Sequence, residues 1–318
     1  MTLNQLSHKQ LSLLGALTAL GLAGLSYLDH TFVQAGLWMF IGLTLTSGFF
    51  HGALDIVLIQ REFVSARRLA GVTAFYAVAV VLLAMLCAHI GWLMLLLLLS
   101  MSVWHFGEPY GRWSQGDWVH RVIAGGAPVM LPALLSAPTL QGLLPMAVGL
   151  DATWAWTIWQ TMAWLWVGIC GFAIAAFFVL GQRQFCKPLW LEVGLVLVLN
   201  LTLSPLMAFS IYFGALHAAA HIYRVVAHQS HDLDVAQPSR GLSRPGAVAI
   251  LLTCAATFLL LLPLVWYLQN EPLAASAHHG LLNALLVALT AVTLPHLILV
   301  SRNARWLTGL AFASRSKA

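Results

Sequence analysis

The sequence predicts an all-α fold: a polytopic transmembrane helical bundle of about ten spans, forming one integral membrane domain over residues 1–318. Three observations carry this reading. The chain is 60% hydrophobic and 8% charged, with a mean hydropathy of +0.86, far from the composition of a water-soluble domain. Its apolar residues come in runs close to the ~20 residues that a helix needs to cross a bilayer. The short alternating segments of an outer-membrane barrel are absent from the sequence, so helices are the only way to satisfy the backbone in lipid.

The runs follow one another with short connections. After a polar start ending at Lys9-Gln10, Leu11 to Leu28 reads as a first span rather than a cleaved signal, because no A-x-A-like site follows it. Phe32 to Ile59 is the second, closed by Arg61, Arg67 and Arg68, and Gly71 to Ala88 is the third. Trp92 to Phe106 is the fourth and stops at Gly107-Glu108-Pro109. Val122 to Ala137 is the fifth. Its Gly125, Gly126, Pro128 and Pro132, with Pro138 just beyond, predict a kinked or re-entrant helix. A loop from Thr139 to Thr153 precedes the Trp-rich sixth span, Trp154 to Leu180. Leu189 to Leu203 and Leu206 to Val226 are separated by Ser204-Pro205, and the polar loop His228 to Pro245 follows. Val248 to Leu268 and Leu281 to Val300 complete the bundle before the basic tail Arg302 to Ala318.

The charges agree with this map. The net charge of +5 forms no basic, aromatic-interleaved patch, so nucleic acid is not an expected partner. All 15 Lys and Arg residues fall before span one or at the exits of even-numbered spans. By the positive-inside rule both termini are expected in the cytoplasm, with the protein in the cell (inner) membrane. The 4 cysteines have no C-x-x-C spacing, so neither a disulfide framework nor a zinc finger is expected.

That topology sorts the histidines. His30, His89, His278 and His279 map to outer turns, and His8, His120, His228 and His231 to inner loops or the membrane edge. The other five, His51, His105, His217, His221 and His296, each precede a cytoplasmic arginine inside an even-numbered span. At ~1.5 Å per residue they are expected roughly 5 to 15 Å below the inner interface, where they can share one layer. His217-Ala218-Ala219-Ala220-His221 is the strongest signal. Two imidazoles four apart lie on one helix face, and the alanines leave room for a metal ion between helices. The bland alternative is a pair of hydrogen-bonded packing residues.

His51 opens His51-Gly52-Ala53-Leu54-Asp55. Asp55 is one turn on and, as a carboxylate in lipid, marks either function or a side chain reaching water near Arg61. His105 sits in Trp104-His105-Phe106-Gly107-Glu108-Pro109, where Glu108 either accepts the proton of the imidazole nitrogen turned away from the metal or is a wet helix end. His296 follows Pro295 and is expected beside the metal rather than on it, because four donors are already available. Four neutral imidazoles suit zinc, copper, iron or nickel and leave open positions.

The blocks Phe50-His51-Gly52-Ala53-Leu54-Asp55, Trp104-His105-Phe106-Gly107-Glu108, His217-Ala218-Ala219-Ala220-His221 and Pro295-His296, in this order and spacing, resemble the Brp/Blh family of bacteriorhodopsin-related membrane proteins. The resemblance runs from about residue 45 to 300. It implies that His51, His105, His217 and His221 are both the catalytic residues and the ligands of Fe(2+). Asp55, Glu108 and His296 would stand behind them. It also implies oxidative cleavage of an apolar carotenoid, taken from the bilayer, at its central 15,15' double bond. The reaction would consume O2 and yield retinal, with a rhodopsin as the retinal-receiving partner.

Other classes fit less well. A membrane di-iron desaturase needs about eight histidines in clustered boxes, and this chain has a single H-x-x-x-H. A bis-His haem protein would draw on the same layer. A multi-pass transporter with a histidine metal or substrate site is the main alternative, but transporters line a path through both membrane halves with ionisable groups.

Overall fold

In the computed structural model, the described residues are 32–62, 65–108, 117–148, 152–180, 187–222, 225 and 277–302. All regular structure among them is helical. In chain order it comprises α1 (Phe32–Leu43), a π-helical turn π1 (Thr44–Gly48), α2 (Phe49–Ala53), α3 (Asp55–Glu62), α4 (Ala66–His89), α5 (Gly91–Phe106), α6 (Asp117–Leu135), α7 (Ala137–Val148), α8 (Ala152–Leu180), α9 (Lys187–Thr202), α10 (Pro205–Ser210), π2 (Ile211–Ala218) and α11 (Ala277–Arg302).

Among the described residues, six stretches are long and apolar enough to cross a membrane: Trp38–Gln60, Arg67–His89, Trp118–Leu135, Ala152–Ala176, Pro205–Ile222 and Gly280–Arg302. They coincide with six of the expected spans. The expected first span and the ninth, Val248 to Leu268, lie outside the described residues, as do the polar loop after span eight and the basic tail. Two expected spans are too short. Gly91–Phe106 and Leu189–Thr202 are shorter apolar helices, and at ~1.5 Å per residue neither reaches across a ~30 Å hydrocarbon core. The first is stopped at Gly107 by its contact with α6, the second by the Ser204-Pro205 break.

Two further expectations are corrected. The proline-bearing fifth segment is a continuous helix, α6, with Pro128 and Pro132 inside it. Its neighbour α8 supplies donors along it: Trp159 Nε1 donates to the Val129 carbonyl at 2.7 Å, and Trp166 Nε1 to the Val122 carbonyl at 3.0 Å. These bonds tie α6 to α8 on either side of the carbonyls of Ala124 and Pro128, which the two prolines leave without their helical N–H partners. Trp159→Phe should therefore lower the melting midpoint in detergent, at a cost of about 1 kcal/mol for the lost bond. The expected loop from Thr139 to Thr153 is instead largely the helix α7. Pro138 sits at its second position, where a missing N–H costs nothing.

The helices sort by burial. α4 and α8 form the rim, with Phe75, Leu82, Phe172 and Phe178 facing outward. Trp154 and Trp164 are also exposed there, as interfacial tryptophans would be, whereas Trp166 is buried in the core. The interior is built where α5 packs between α6 and α11, with α1, π1 and π2 closing one side. Glycine sets the tightest approach. A Cβ on Gly125 of α6 would lie 1.8 Å from the Val103 carbonyl oxygen of α5, and one on Gly107 would lie 1.9 Å from the Arg121 carbonyl oxygen. Small residues at such crossings let backbones meet in lipid.

Candidate metal centre

Of the three segments that carry the expected metal ligands, the two bearing His51 and His217-His221 lose α-helical register just before or at the histidines. In π1, Thr46 Oγ1 donates to the Gly42 carbonyl at 2.7 Å and Ser47 Oγ to the Leu43 carbonyl at 2.9 Å, hydroxyl bonds that loosen the helical ladder. Just before π2, Ser210 Oγ at the end of α10 does the same to the Leu206 carbonyl one turn earlier. Single π-turns inside α-helices are frequent at functional sites, because the extra residue re-aims the side chains that follow. Here π1 precedes His51 by one turn and π2 contains His217.

The two π-turns meet through glycine. A Cβ on Gly48 would lie 2.8 Å from the Phe213 ring, and one on Gly214 would lie 2.9 Å from Ser47 Oγ. Gly48→Ala should push Phe213 outward and lower the melting midpoint, in the range of about 1–3 kcal/mol for an overpacked core.

The five intramembrane histidines converge. His51 comes from α2, His105 from the last turn of α5, His217 from π2, His221 from the turn after it and His296 from α11. All five are buried. The separations between ring centroids run from 4.2 Å for His51–His221 through 4.7 Å for His105–His217 to 6.5 Å for His105–His221. His105 Nε2 lies 3.4 Å from His51 Nε2 and 3.0 Å from His217 Nε2.

Those nitrogens point at one another, and hydrogen bonding alone does not account for it. A neutral imidazole carries its one N–H and its one in-plane lone pair on different nitrogens. His105 Nε2 therefore cannot donate to one neighbour and accept from the other. A cation between them resolves the conflict. Two nitrogens each about 2.1 Å from one ion sit about 3.0 Å apart at right angles and about 3.4 Å apart at the tetrahedral angle. The residues thus fit a metal. Two groups of three donor nitrogens, His51-His105-His217 and His51-His221-His296, each lie within 4.8 Å of one another and share His51.

For both acidic residues the structure removes the water-facing alternative. Asp55 is buried in the bundle, at 3% exposure, and does not reach for water near Arg61. Its Oδ1 lies 2.6 Å from His296 Nδ1, and its Oδ2 accepts the Tyr76 hydroxyl at 2.6 Å. α2 gives way to α3 at Leu54, whose backbone stays helical, and His51 and Asp55 one turn apart both turn toward His296; Asp55 begins α3, where the helix dipole favours its negative charge. Glu108 is buried rather than a wet helix end, and its backbone N–H donates to the His105 carbonyl at 3.1 Å. Around the cluster stand aromatic rings. Phe106 is 4.7 Å from His217, and Phe213 stacks on His217 at 6.4 Å.

Sequence reasoning did not single out Tyr76. It lies in the apolar run of α4, and nothing in that run signals that its hydroxyl turns inward to Asp55. Phe106 and Phe213 were equally unmarked, because aromatics are common throughout the chain.

With this geometry in hand, comparison with known proteins decides the family. The model of the family described as beta-carotene 15,15'-dioxygenase matches residues 41–302. The chain belongs to this family. A beta-carotene 15,15'-dioxygenase from uncultured marine bacterium 66A03 is 24% identical to it over 272 residues, covering 83% of this chain and 92% of that protein. No solved structure matches. The matched region contains all five clustered histidines, Asp55, Tyr76 and Glu108. For a beta-carotene 15,15'-dioxygenase family member, a buried imidazole cluster inside a helical membrane bundle is the expected place for metal-dependent chemistry.

Proposed function

We propose that this chain cleaves β-carotene, or a closely related carotenoid, at the central 15,15' double bond with O2 to give retinal. His51, His105, His217 and His221 would hold Fe(2+), with the chain in the inner membrane and both termini in the cytoplasm. The observation that carries this reading is the convergence of His51, His105 and His217 Nε2 atoms in the interior of a family member.

Ferrous iron, when bound, supplies activation of dioxygen toward the polyene. The rest of the work falls to the protein. Four neutral imidazoles add no charge, so the ion keeps its full positive charge and its open positions. Burial of all four rings keeps bulk water from the reacting carbons. Phe106, Phe209, Tyr212 and Phe213 form a contiguous aromatic wall beside His217, suited to lie against a conjugated chain. Regiospecificity then follows from how deep the apolar substrate slides before its central bond meets the centre. No side-chain acid or base is required. A rhodopsin that receives the retinal is the natural client.

The transporter reading loses ground, because the described intramembrane histidines lie in one cluster rather than along a path. The test is to express the chain in a β-carotene-producing bacterium and analyse the retinoids. Loss of carotene with accumulation of retinal, and of no longer or shorter apocarotenal, is the expected result. Unchanged carotene in cells whose membranes contain the folded protein would refute β-carotene as the substrate.

A further inference from the structure

His296 was expected to stand beside the metal, and it belongs to one of the two groups of three residues whose donor atoms could hold an ion. Its Nδ1 faces Asp55 Oδ1 at 2.6 Å, the length of a charge-assisted bond. A carboxylate only accepts, so Nδ1 carries the proton and the ring's lone pair is on Nε2. That Nε2 is buried and has no hydrogen-bond partner among the described residues. A ring nitrogen of His296 lies within 4.8 Å of the donor atoms of His51 and His221. Its ring is 4.6 Å from His51 and 4.8 Å from His105, nearer than the 5.4 Å that separates His51 from His217. A histidine present only for packing would leave a buried lone pair with nothing to receive it, which is costly in this interior.

We propose that His296 is a fifth imidazole donor of the metal centre, and that Asp55 and Tyr76 are positioning residues that aim it. This rests on the reading that the cluster holds iron. A carboxylate behind a metal-bound imidazole fixes the ring's tautomer and orientation and raises its basicity. Here the carboxylate is itself held from the far side, because the Tyr76 hydroxyl of α4 occupies Oδ2. Three separate elements, α3, α4 and α11, thus fix one ring. The rim helix α4, otherwise turned to lipid, gains through Tyr76 a reason to be locked against the centre. With His296 among the residues that would hold the ion, the polyene would be held by the aromatic wall.

The test measures iron content of the full-length chain purified in detergent and the rate at which a ferrous chelator strips it. The intact chain is compared with His217→Ala, His296→Ala, Asp55→Asn, Tyr76→Phe and the Asp55→Asn/His296→Ala double variant. His217→Ala should hold no iron. His296→Ala and Asp55→Asn should each release iron roughly 10–100-fold faster than the intact chain, and the double variant no faster than His296→Ala. Tyr76→Phe should fall between them and the intact chain. Asp55→Asn keeps the side-chain shape, so it carries the test should His296→Ala not fold. Melting of the metal-free proteins is followed separately. If the variants shift that melting but release iron at the intact rate while His217→Ala is empty, the fifth donor is refuted and the four-histidine centre stands. If the intact chain takes up no more iron than His217→Ala, both readings fall together.

Discussion

Replacing His217 with alanine is expected to abolish both retinal formation and iron retention while leaving the protein in the membrane. Two features make this the most damaging single change to the chemistry. His217 Nε2 lies 3.0 Å from His105 Nε2, so its removal opens the group of donors at the tightest spacing in the cluster. The same ring stacks on Phe213 and meets Phe106 edge-on, so it also anchors the aromatic wall to the centre. His217 is one of the donors that would hold the ion, so its loss should remove the chemistry the ion would supply and lower turnover by at least about 1,000-fold. His217→Gln, which keeps bulk and polarity but lacks an imidazole, should be as inactive as the alanine variant. Retinal output from carotene-producing cells, normalised to the amount of protein in the membrane, checks both. Activity within tenfold of the intact chain in either variant would remove His217 from the metal site.

The largest effect on stability is expected at Gly125. A Cβ there would sit 1.8 Å from the Val103 carbonyl oxygen and 2.6 Å from the Gly107 amide nitrogen, both of them backbone atoms that cannot turn aside. Gly125→Ala therefore forces α5 and α6 apart along their closest approach. The cost should be at least about 3 kcal/mol, above the usual range for an added methyl in a core, because no side chain is available to yield. His105 lies at the end of α5, one turn from this contact, so its ring would be displaced from His51 and His217. A fall in the detergent melting midpoint and loss of bound iron should accompany each other in this variant. Gly142→Ala, where nothing lies within 4 Å of an added Cβ, is the matched control and should change neither.

The sequence carried the membrane class and the centre further than it carried the helix count. The one-sided placement of Lys and Arg put five histidines at one depth, and the folded chain brings those same five together. The grouping was legible because polar side chains inside apolar runs are costly in lipid and stand out in a single sequence. Helix lengths were less legible. Gly91–Phe106 and Leu189–Thr202 look like spans by composition but end early, because a glycine contact and a Ser-Pro break belong to tertiary packing rather than to hydropathy. Helix α7 was hidden by Pro138 and Pro145, which read as loop signals yet are tolerated where neighbouring helices cover the backbone.

The role of Asp55 shows a different limit. Its spacing placed it one turn from His51, but the ring it bonds is that of His296, which is 241 residues distant in sequence. Such a pairing has no local signature. The same holds for Tyr76, whose hydroxyl decides the orientation of that carboxylate from a helix that otherwise faces lipid. The π-turns were equally invisible, since Thr44–Gly48 and Ile211–Ala218 carry no residues that exclude ordinary α-helix.

The central claim is that the buried imidazoles hold ferrous iron and that this centre cleaves the central double bond of β-carotene. The most direct measurement starts from protein stripped of metal in detergent under anaerobic conditions. Fe(2+) or Zn(2+) is returned to it, and β-carotene and then O2 are added. The account predicts retinal only with iron and only after O2, with two molecules formed for each β-carotene consumed. Equal retinal formation with zinc, or consumption of β-carotene by the iron-loaded protein with no retinal among the products, would contradict it.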